Sequence, residues 1–143
     1  MSGSSNKRRK PPITIRQSDH SALTRLAESI ADRNPAVSDE LLAELDRAKI
    51  VDDSRLREDI VRVGSRLRYT TDTGEDRTVT LVFPGEADIA EARISVLTPI
   101  GAALIGLSQG QSIDWTARDG RVHRLTVVHI DRPVEQMDMR RAS

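Results

Sequence analysis

Three carboxylates around a turn between two helical segments are the residues in this sequence best suited to chemistry. Asp32, Asp39 and Glu40 stand on either side of the pair Asn34-Pro35. If they gathered at the tip of a helical hairpin, their oxygens could hold a divalent cation. The favoured alternative is that Asp39 and Glu40 stabilise the start of the second helix through its dipole, while Asp32 is a surface residue. We therefore predict no metal and no other cofactor.

Other patterns that resemble catalytic or ligand-binding sites each lack something essential. His123 and His129 are six positions apart on a predicted strand, which separates them by roughly 20 Å, too far to share a metal ion. The segment GAALIGLS, residues 101–108, has the glycine spacing of a phosphate-binding loop, but Leu107 occupies the position where that loop needs lysine. A buried helix with closely packed glycines is the favoured interpretation. We predict that the protein is not an enzyme.

A row of arginines is the main charged feature of the predicted β-region. Arg62, Arg66 and Arg68 fall on the solvent face of the first predicted strand. They either pair across a hairpin with Glu75 or Asp76 or contact a partner, and ion pairing is the favoured interpretation.

The composition points to a protein partner. Lys and Arg number 22, as do Asp and Glu, so no net field attracts nucleic acid or an anionic membrane. We expect no sequence-specific binding of nucleic acid. No apolar stretch is long enough to span a bilayer, and the absence of cysteine fits a reducing compartment. We predict a soluble, cytoplasmic monomer.

Helical elements are predicted near the N-terminus. Residues 1–12 contain a run of four basic residues, Lys7 to Lys10, and are predicted to be a disordered tail. Apolar residues then recur at helical spacing over 18–33, with Ser18 or Asp19 as N-cap, and over 38–51. A short turn between two helices predicts an antiparallel hairpin within residues 13–56.

The hydrophobic period changes from helix to strand near residue 60. Alternation predicts strands over 61–69 and 78–83, and further short strands over 93–98, 112–117 and 122–130. An apolar helix should follow Pro99, which suits a first helical position. Residues 133–143 are predicted to be a flexible tail. The predicted core of this region consists of Val63, Leu67, Leu81, Phe83, Val96, Leu104, Ile113 and Trp115.

The segment ISVLTPIGAALIGL, residues 94–107, resembles the C-terminal domain of the Gre transcript-cleavage factors. It has a strand ending in Ser/Thr-Pro, a helix of small residues and a closing glycine in the same order. The resemblance extends over the whole region from 57 to 132. The segment LLAELDRAKIV, residues 41–51, is more similar to the Gre-like regulators of nucleoside diphosphate kinase, whose coiled coil is short.

The resemblance implies an α+β protein in which an FKBP-like antiparallel sheet wraps a short helix, following a truncated coiled coil. It also implies a docking site for bacterial RNA polymerase, at the rim of the secondary channel, formed by Leu97, Thr98, Pro99 and Ile100. Transcript cleavage is not expected, because the hairpin is short. The alternative partner is nucleoside diphosphate kinase. Peptidyl-prolyl isomerase activity is disfavoured, because a fold does not confer function and three aromatic residues cannot line the required pocket.

Overall fold

The structure is a computed structural model that describes residues 11–116 and 119–131. The predicted tails therefore lie outside the described residues, apart from Pro11 and Pro12. Three helices and two sheets follow one another in the order β1 (Thr14–Arg16), α1 (Gln17–Ile30), α2 (Pro35–Arg47), β2 (Lys49–Val51), β3 (Arg66–Thr71), β4 (Asp76–Val82), β5 (Arg93–Ser95), α3 (Pro99–Leu104), β6 (Ser112–Thr116) and β7 (Val122–Ile130). None of the helices in the described ranges has the length and apolar character needed to cross a membrane.

The two helices of the hairpin start earlier than the sequence predicted. The side chain of Asn34 accepts a hydrogen bond from the Val37 amide at 3.4 Å, and Pro35 occupies the first turn of α2. Asn34-Pro35 thus begins a helix as well as breaking one, because proline needs no amide partner there. The prediction that Asp39 and Glu40 occupy the first turn of α2 was wrong, since that turn contains no acidic residue.

The predicted N-cap of α1 was also wrong. The N-cap position is Arg16, whose side chain makes no capping hydrogen bond. Instead, the carboxylate of Asp53 accepts a hydrogen bond from the Ser18 amide at 3.0 Å. A hydrogen bond from the Ser18 side chain and, to a smaller extent, this backbone bond lower the pKa of Asp53. A residue that is distant in the chain thereby satisfies an amide at the start of the helix.

Residues 49–51 form a strand, although the sequence predicted the end of a helix. Strand β2 pairs in parallel with β1, so that Ile15 lies opposite Ile50. The pairing is favoured because Ile13 and Ile15 are buried in the core and because the β-branched residues Ile50 and Val51 suit extended backbone.

The main sheet has the strand order β5-β4-β3-β7-β6. Three of its pairings are antiparallel, as predicted, but β4 pairs with β5 in parallel, so the sheet is mixed. The crossover between β4 and β5 contains two single turns of 3-10 helix, Pro84–Glu86 and Ile89–Glu91. Strand β3 begins at Arg66 and not at residue 61, because Val61 instead exchanges backbone hydrogen bonds with Gly106 and Leu107.

One buried apolar cluster extends through the hairpin and the main sheet. It includes Leu23 and Leu41 of the hairpin together with residues of α3 and of the sheet. Five predicted core residues are buried, namely Leu67, Leu81, Val96, Leu104 and Ile113. The other three, Val63, Phe83 and Trp115, are only partly buried and pack against the cluster. Val63 precedes β3, and Phe83 directly follows β4. The ring of Trp115 is tilted against that of His123, with ring centroids 5.2 Å apart.

Candidate functional site

The four residues predicted to dock on a partner lie in the turn between β5 and α3 and at the start of α3. Two side chains, those of Ser95 and Thr98, hold the backbone of this segment, which we call the docking turn. The Ser95 hydroxyl accepts a hydrogen bond from the Leu97 amide at 2.9 Å. The Thr98 hydroxyl donates to the Ser95 carbonyl oxygen at 2.8 Å and accepts from the Gly101 amide at 3.0 Å. Thr98 is thus the N-cap of α3, with Pro99 in its first turn, which confirms the prediction that Pro99 begins this helix. These bonds give the turn one well-defined shape.

Gly101 is required by the closeness of this turn to the preceding strand. A Cβ atom added at Gly101 would overlap the carbonyl oxygen of Ser95 and would lie 2.9 Å from the hydroxyl of Thr98. The next two residues of the helix, Ala102 and Ala103, are also buried. Small residues therefore allow α3 to lie directly against the backbone that forms the turn.

The four turn residues Leu97, Thr98, Pro99 and Ile100 are all half-buried. Leu97 and Ile100 pack against the core with part of each side chain, and the remaining part is accessible to solvent. The turn thus presents an apolar surface whose backbone is already ordered. Such a surface loses little conformational entropy when a partner covers it.

The segment GAALIGLS has no capacity to bind phosphate. Residues 101–107 are buried, and a Cβ at Gly106, where φ is +82°, would lie 2.8 Å from the Cβ of Ile13. The Gly106 carbonyl accepts a hydrogen bond from the Thr14 amide at 3.1 Å. Gly106 therefore allows β1 to approach, which confirms the predicted role of these glycines in close packing.

The three hairpin carboxylates do not form a cluster. Asp32 is exposed in the turn after α1, whereas Asp39 and Glu40 lie on α2 beyond its first turn. Within the part of the chain that the structure describes, no three His, Cys, Asp or Glu side chains form a group that could hold a metal ion. The arrangement gives the hairpin tip scattered negative charge and no cation site.

Two carboxylates that were not predicted to be buried, Asp19 and Glu44, hold the ends of the hairpin. Asp19 is 4% exposed; it pairs with Arg16 at 3.0 Å and accepts a hydrogen bond from the Val63 amide at 3.2 Å. Glu44 is also buried and pairs with Arg47 at 2.8 Å. The helical spacing of i and i+3 between each pair was the available signal. The Asp19 contact joins α1 directly to the start of the β-region.

The arginine row is used mainly for ion pairs. Arg68 makes a two-pronged bond to Asp76, with distances of 2.8 and 2.7 Å, and this bond lowers the pKa of Asp76. Arg66 lies 3.8 Å from Asp131. The predicted pairing is confirmed for Arg68 with Asp76. Arg62, however, precedes β3 and does not belong to a strand face.

Comparison with known proteins gives matches over both halves of the chain. The family model described as transcription elongation factor GreA/GreB, C-terminal, matches residues 56–132, and the model described as Rnk N-terminus matches residues 11–51. The regulator of nucleoside diphosphate kinase of Escherichia coli strain K12 is 34% identical over 123 residues, which are 85% of this chain and 90% of that protein.

Gre factors are similar mainly in the β-region. GreA of Thermodesulfovibrio yellowstonii is 39% identical over 75 residues, 52% of this chain and 48% of that protein, so the match spans about half the length of GreA. A solved structure of a GreA/GreB elongation factor from Nitrosomonas europaea is 34% identical, with a TM-score of 0.66 and coverage of 82% of this chain and 98% of that chain. The chain belongs to the GreA/GreB transcription elongation factor family, and its N-terminal segment is of the Rnk type.

Proposed function

We propose that this protein is a non-enzymatic regulator of transcription that binds bacterial RNA polymerase at the rim of the secondary channel, through Leu97, Thr98, Pro99 and Ile100, without stimulating transcript cleavage. Membership of the GreA/GreB family supports a role in transcription. We place the protein in the bacterial cytoplasm as a monomer, and we assign the docking role to an FKBP-like domain over residues 57–132.

The observation that carries the proposal is the ordered apolar turn between β5 and α3. Ser95 and Thr98 fix its backbone through side-chain hydrogen bonds, so that Leu97 and Ile100 keep their positions before a partner arrives. A few well-packed residues carry most of the binding energy of an interface, and order before binding lowers its entropic cost. The turn has both properties.

The dimensions of the hairpin support the absence of cleavage activity. Helices α1 and α2 contain 14 and 13 residues and so extend about 21 and 20 Å. Their buried side chains share one core with the β-region, which leaves little of either helix to project. A tip carboxylate stabilises a catalytic cation only through direct or water-bridged contact. Asp32, Asp39 and Glu40 would stop short of a metal deep in the polymerase channel.

Regulation of nucleoside diphosphate kinase is the second candidate function. It is favoured by the name of the Escherichia coli relative, which shares 34% identity over nearly the whole of both chains. The site proposed for such a partner is the same turn, because its apolar surface is already ordered by hydrogen bonds.

Direct binding to purified RNA polymerase tests the docking turn. The variant Pro99→Ala/Ile100→Glu removes the rigid proline and places a charge on the apolar surface, while the Thr98 cap is retained. We expect at least about tenfold weaker binding, equivalent to ~1.4 kcal/mol. Affinity can be measured by fluorescence anisotropy of the labelled protein.

Two matched variants control this experiment. Gly85→Ala, where an added Cβ meets no atom within 4 Å, should bind as the parent does. Val122→Glu places the same charge on an exposed apolar residue of β7 and should also leave affinity unchanged. Fluorescence of Trp115 verifies folding. Equal affinity of the folded double variant would contradict the site. Binding to purified nucleoside diphosphate kinase, with none to polymerase, would favour the second candidate.

A further inference from the structure

A cleft of about 390 Å³ lies between α1 and α2. One wall is a stripe on α2, in which Asp39, Leu42, Ala43 and Asp46 follow one another at the spacing of a single helix face. The rest of the lining consists of His20, Thr24 and Leu45. The cleft is separate from the turn proposed to dock on polymerase.

The cleft has an apolar floor and an acidic rim. The polar groups of its floor bind each other, since a ring nitrogen of His20 lies 3.2 Å from the Leu45 carbonyl oxygen and the Thr24 hydroxyl donates to the His20 carbonyl at 2.8 Å. Asp39 and Asp46 are exposed and have no ion-pair partner among the residues that the structure describes. The surface therefore fits a basic segment with long aliphatic side chains.

The chain enters the described region beside this cleft. The guanidinium of Arg47, the residue after Asp46, donates a hydrogen bond to the Pro11 carbonyl at 2.6 Å. The first described residue, Pro11, therefore lies beside the C-terminal end of α2. From Pro11 back to Lys7 an extended chain reaches roughly 13 Å, and from Arg47 back to Asp39 the helix measures about 12 Å. An extended basic run is therefore long enough to reach from the end of α2 to Asp39.

We propose that the basic run Lys7 to Lys10 binds in the cleft between α1 and α2 of the same chain, with Asp39 and Asp46 as its charge partners. The methylene stems of lysine and arginine cover apolar surface while their charged ends reach a rim, as this cleft requires. Direct attachment at Pro11 keeps the run at a high effective concentration, so weak contacts suffice. The basic run thereby covers one face of the hairpin, and any acidic partner of the run must displace it.

Paramagnetic relaxation in the full-length protein tests this contact. The chain contains no cysteine, so Ser5→Cys carries a nitroxide label at one defined position. At about 0.01 M salt, where charges act over long distances, we expect the amide signals of Thr24 and Ala43 to broaden strongly. The signal of Thr78, on β4, should broaden far less. At about 1 M salt, where screening is nearly complete, the difference should disappear.

Charge variants show whether the rim carboxylates Asp39 and Asp46 hold the basic run in the cleft. Asp39→Asn/Asp46→Asn should abolish the excess broadening, whereas the control Glu86→Gln/Glu91→Gln, which neutralises two exposed carboxylates elsewhere, should retain it. The swap Asp39→Lys/Asp46→Lys combined with Lys7→Glu/Arg8→Glu/Arg9→Glu/Lys10→Glu should restore it, as expected for directly coupled residues.

Three outcomes would overturn the proposal. Broadening that persists in Asp39→Asn/Asp46→Asn would show that the rim carboxylates do not hold the basic run. Broadening centred on the main sheet would place the run elsewhere. Equal broadening in isotope-labelled chains that carry no nitroxide, when they are mixed with spin-labelled chains, would show that the cleft takes the basic run of a second copy of the protein. None of these measurements involves polymerase, so the result is independent of the proposed docking function.

Discussion

Replacement of Gly101 by alanine is expected to destabilise the protein by about 3 kcal/mol, at the upper end of the range for overpacked sites. The added methyl group would overlap the Ser95 carbonyl oxygen and would press on the Thr98 hydroxyl. Both atoms belong to the hydrogen bonds that order the turn, and a backbone carbonyl cannot move away without moving β5. Urea unfolding followed by far-UV circular dichroism measures the change.

The same substitution should weaken polymerase binding even where the variant is still folded, because the turn must change shape. Gly85→Ala is the matched control, since a Cβ at Gly85 meets no atom within 4 Å. Its stability and binding should stay close to those of the parent. A Gly101→Ala variant with parental stability and affinity would contradict the packing described for this turn.

Replacement of Leu23 by alanine is expected to cost about 3 kcal/mol and to lower the stability of the whole protein. Leu23 is fully buried on α1, in the cluster that also contains Leu81 and Leu125 of the main sheet. Loss of a buried leucine removes apolar contacts and leaves a cavity. Because the core is shared, the hairpin and the sheet should unfold together in one transition.

Two probes separate this result from local unfolding. Circular dichroism at 222 nm follows mainly the helices, and fluorescence of Trp115, the one tryptophan of the chain, follows the sheet. Their transitions should coincide in the parent and should shift equally in Leu23→Ala. Leu26→Ala, at a partly buried position of the same helix, should cost less. A helical transition that shifts alone would show that the hairpin is an independent unit.

Elements fixed by neighbouring residues could be predicted from the sequence. Thr98-Pro99 marks the start of α3 because the cap and the proline act within one turn. Asp72-Thr73-Gly74 marks the turn between β3 and β4, where Gly74 has a φ of +95°, and alternation identifies β7. In each case the residues that determine the structure lie inside or beside the element.

Features that depend on distant residues could not be predicted in this way. Residues 49–51 continue the helical pattern of apolar residues, and they form a strand only because they pair with β1. The start of α1 is satisfied by Asp53, 35 positions further along the chain. The parallel pairing of β5 likewise results from the crossover between β4 and β5. The alternation of apolar and polar residues does not predict the direction in which β5 runs.

In the candidate site, too, features fixed by neighbouring residues were predicted and features that depend on distant residues were not. The resemblance to Gre factors suggested Leu97 to Ile100 as the docking residues, and local rules predicted Pro99 as the start of α3. Neither indicated that the Ser95 hydroxyl and carbonyl would both bind this turn. Nor did the sequence indicate that Asp19 would be buried against the Val63 amide, because a carboxylate is ordinarily placed at the surface.

Competition with a Gre factor on RNA polymerase tests the central claim most directly. Increasing amounts of this protein should displace a labelled Gre factor from polymerase in a concentration-dependent manner, and should fail to stimulate transcript cleavage in backtracked complexes. The Pro99→Ala/Ile100→Glu variant should displace it at least about tenfold less effectively. Failure to displace the Gre factor at saturating protein would contradict the shared docking site, and stimulated cleavage that disappears in Asp39→Asn/Glu40→Gln would contradict the inactive hairpin tip.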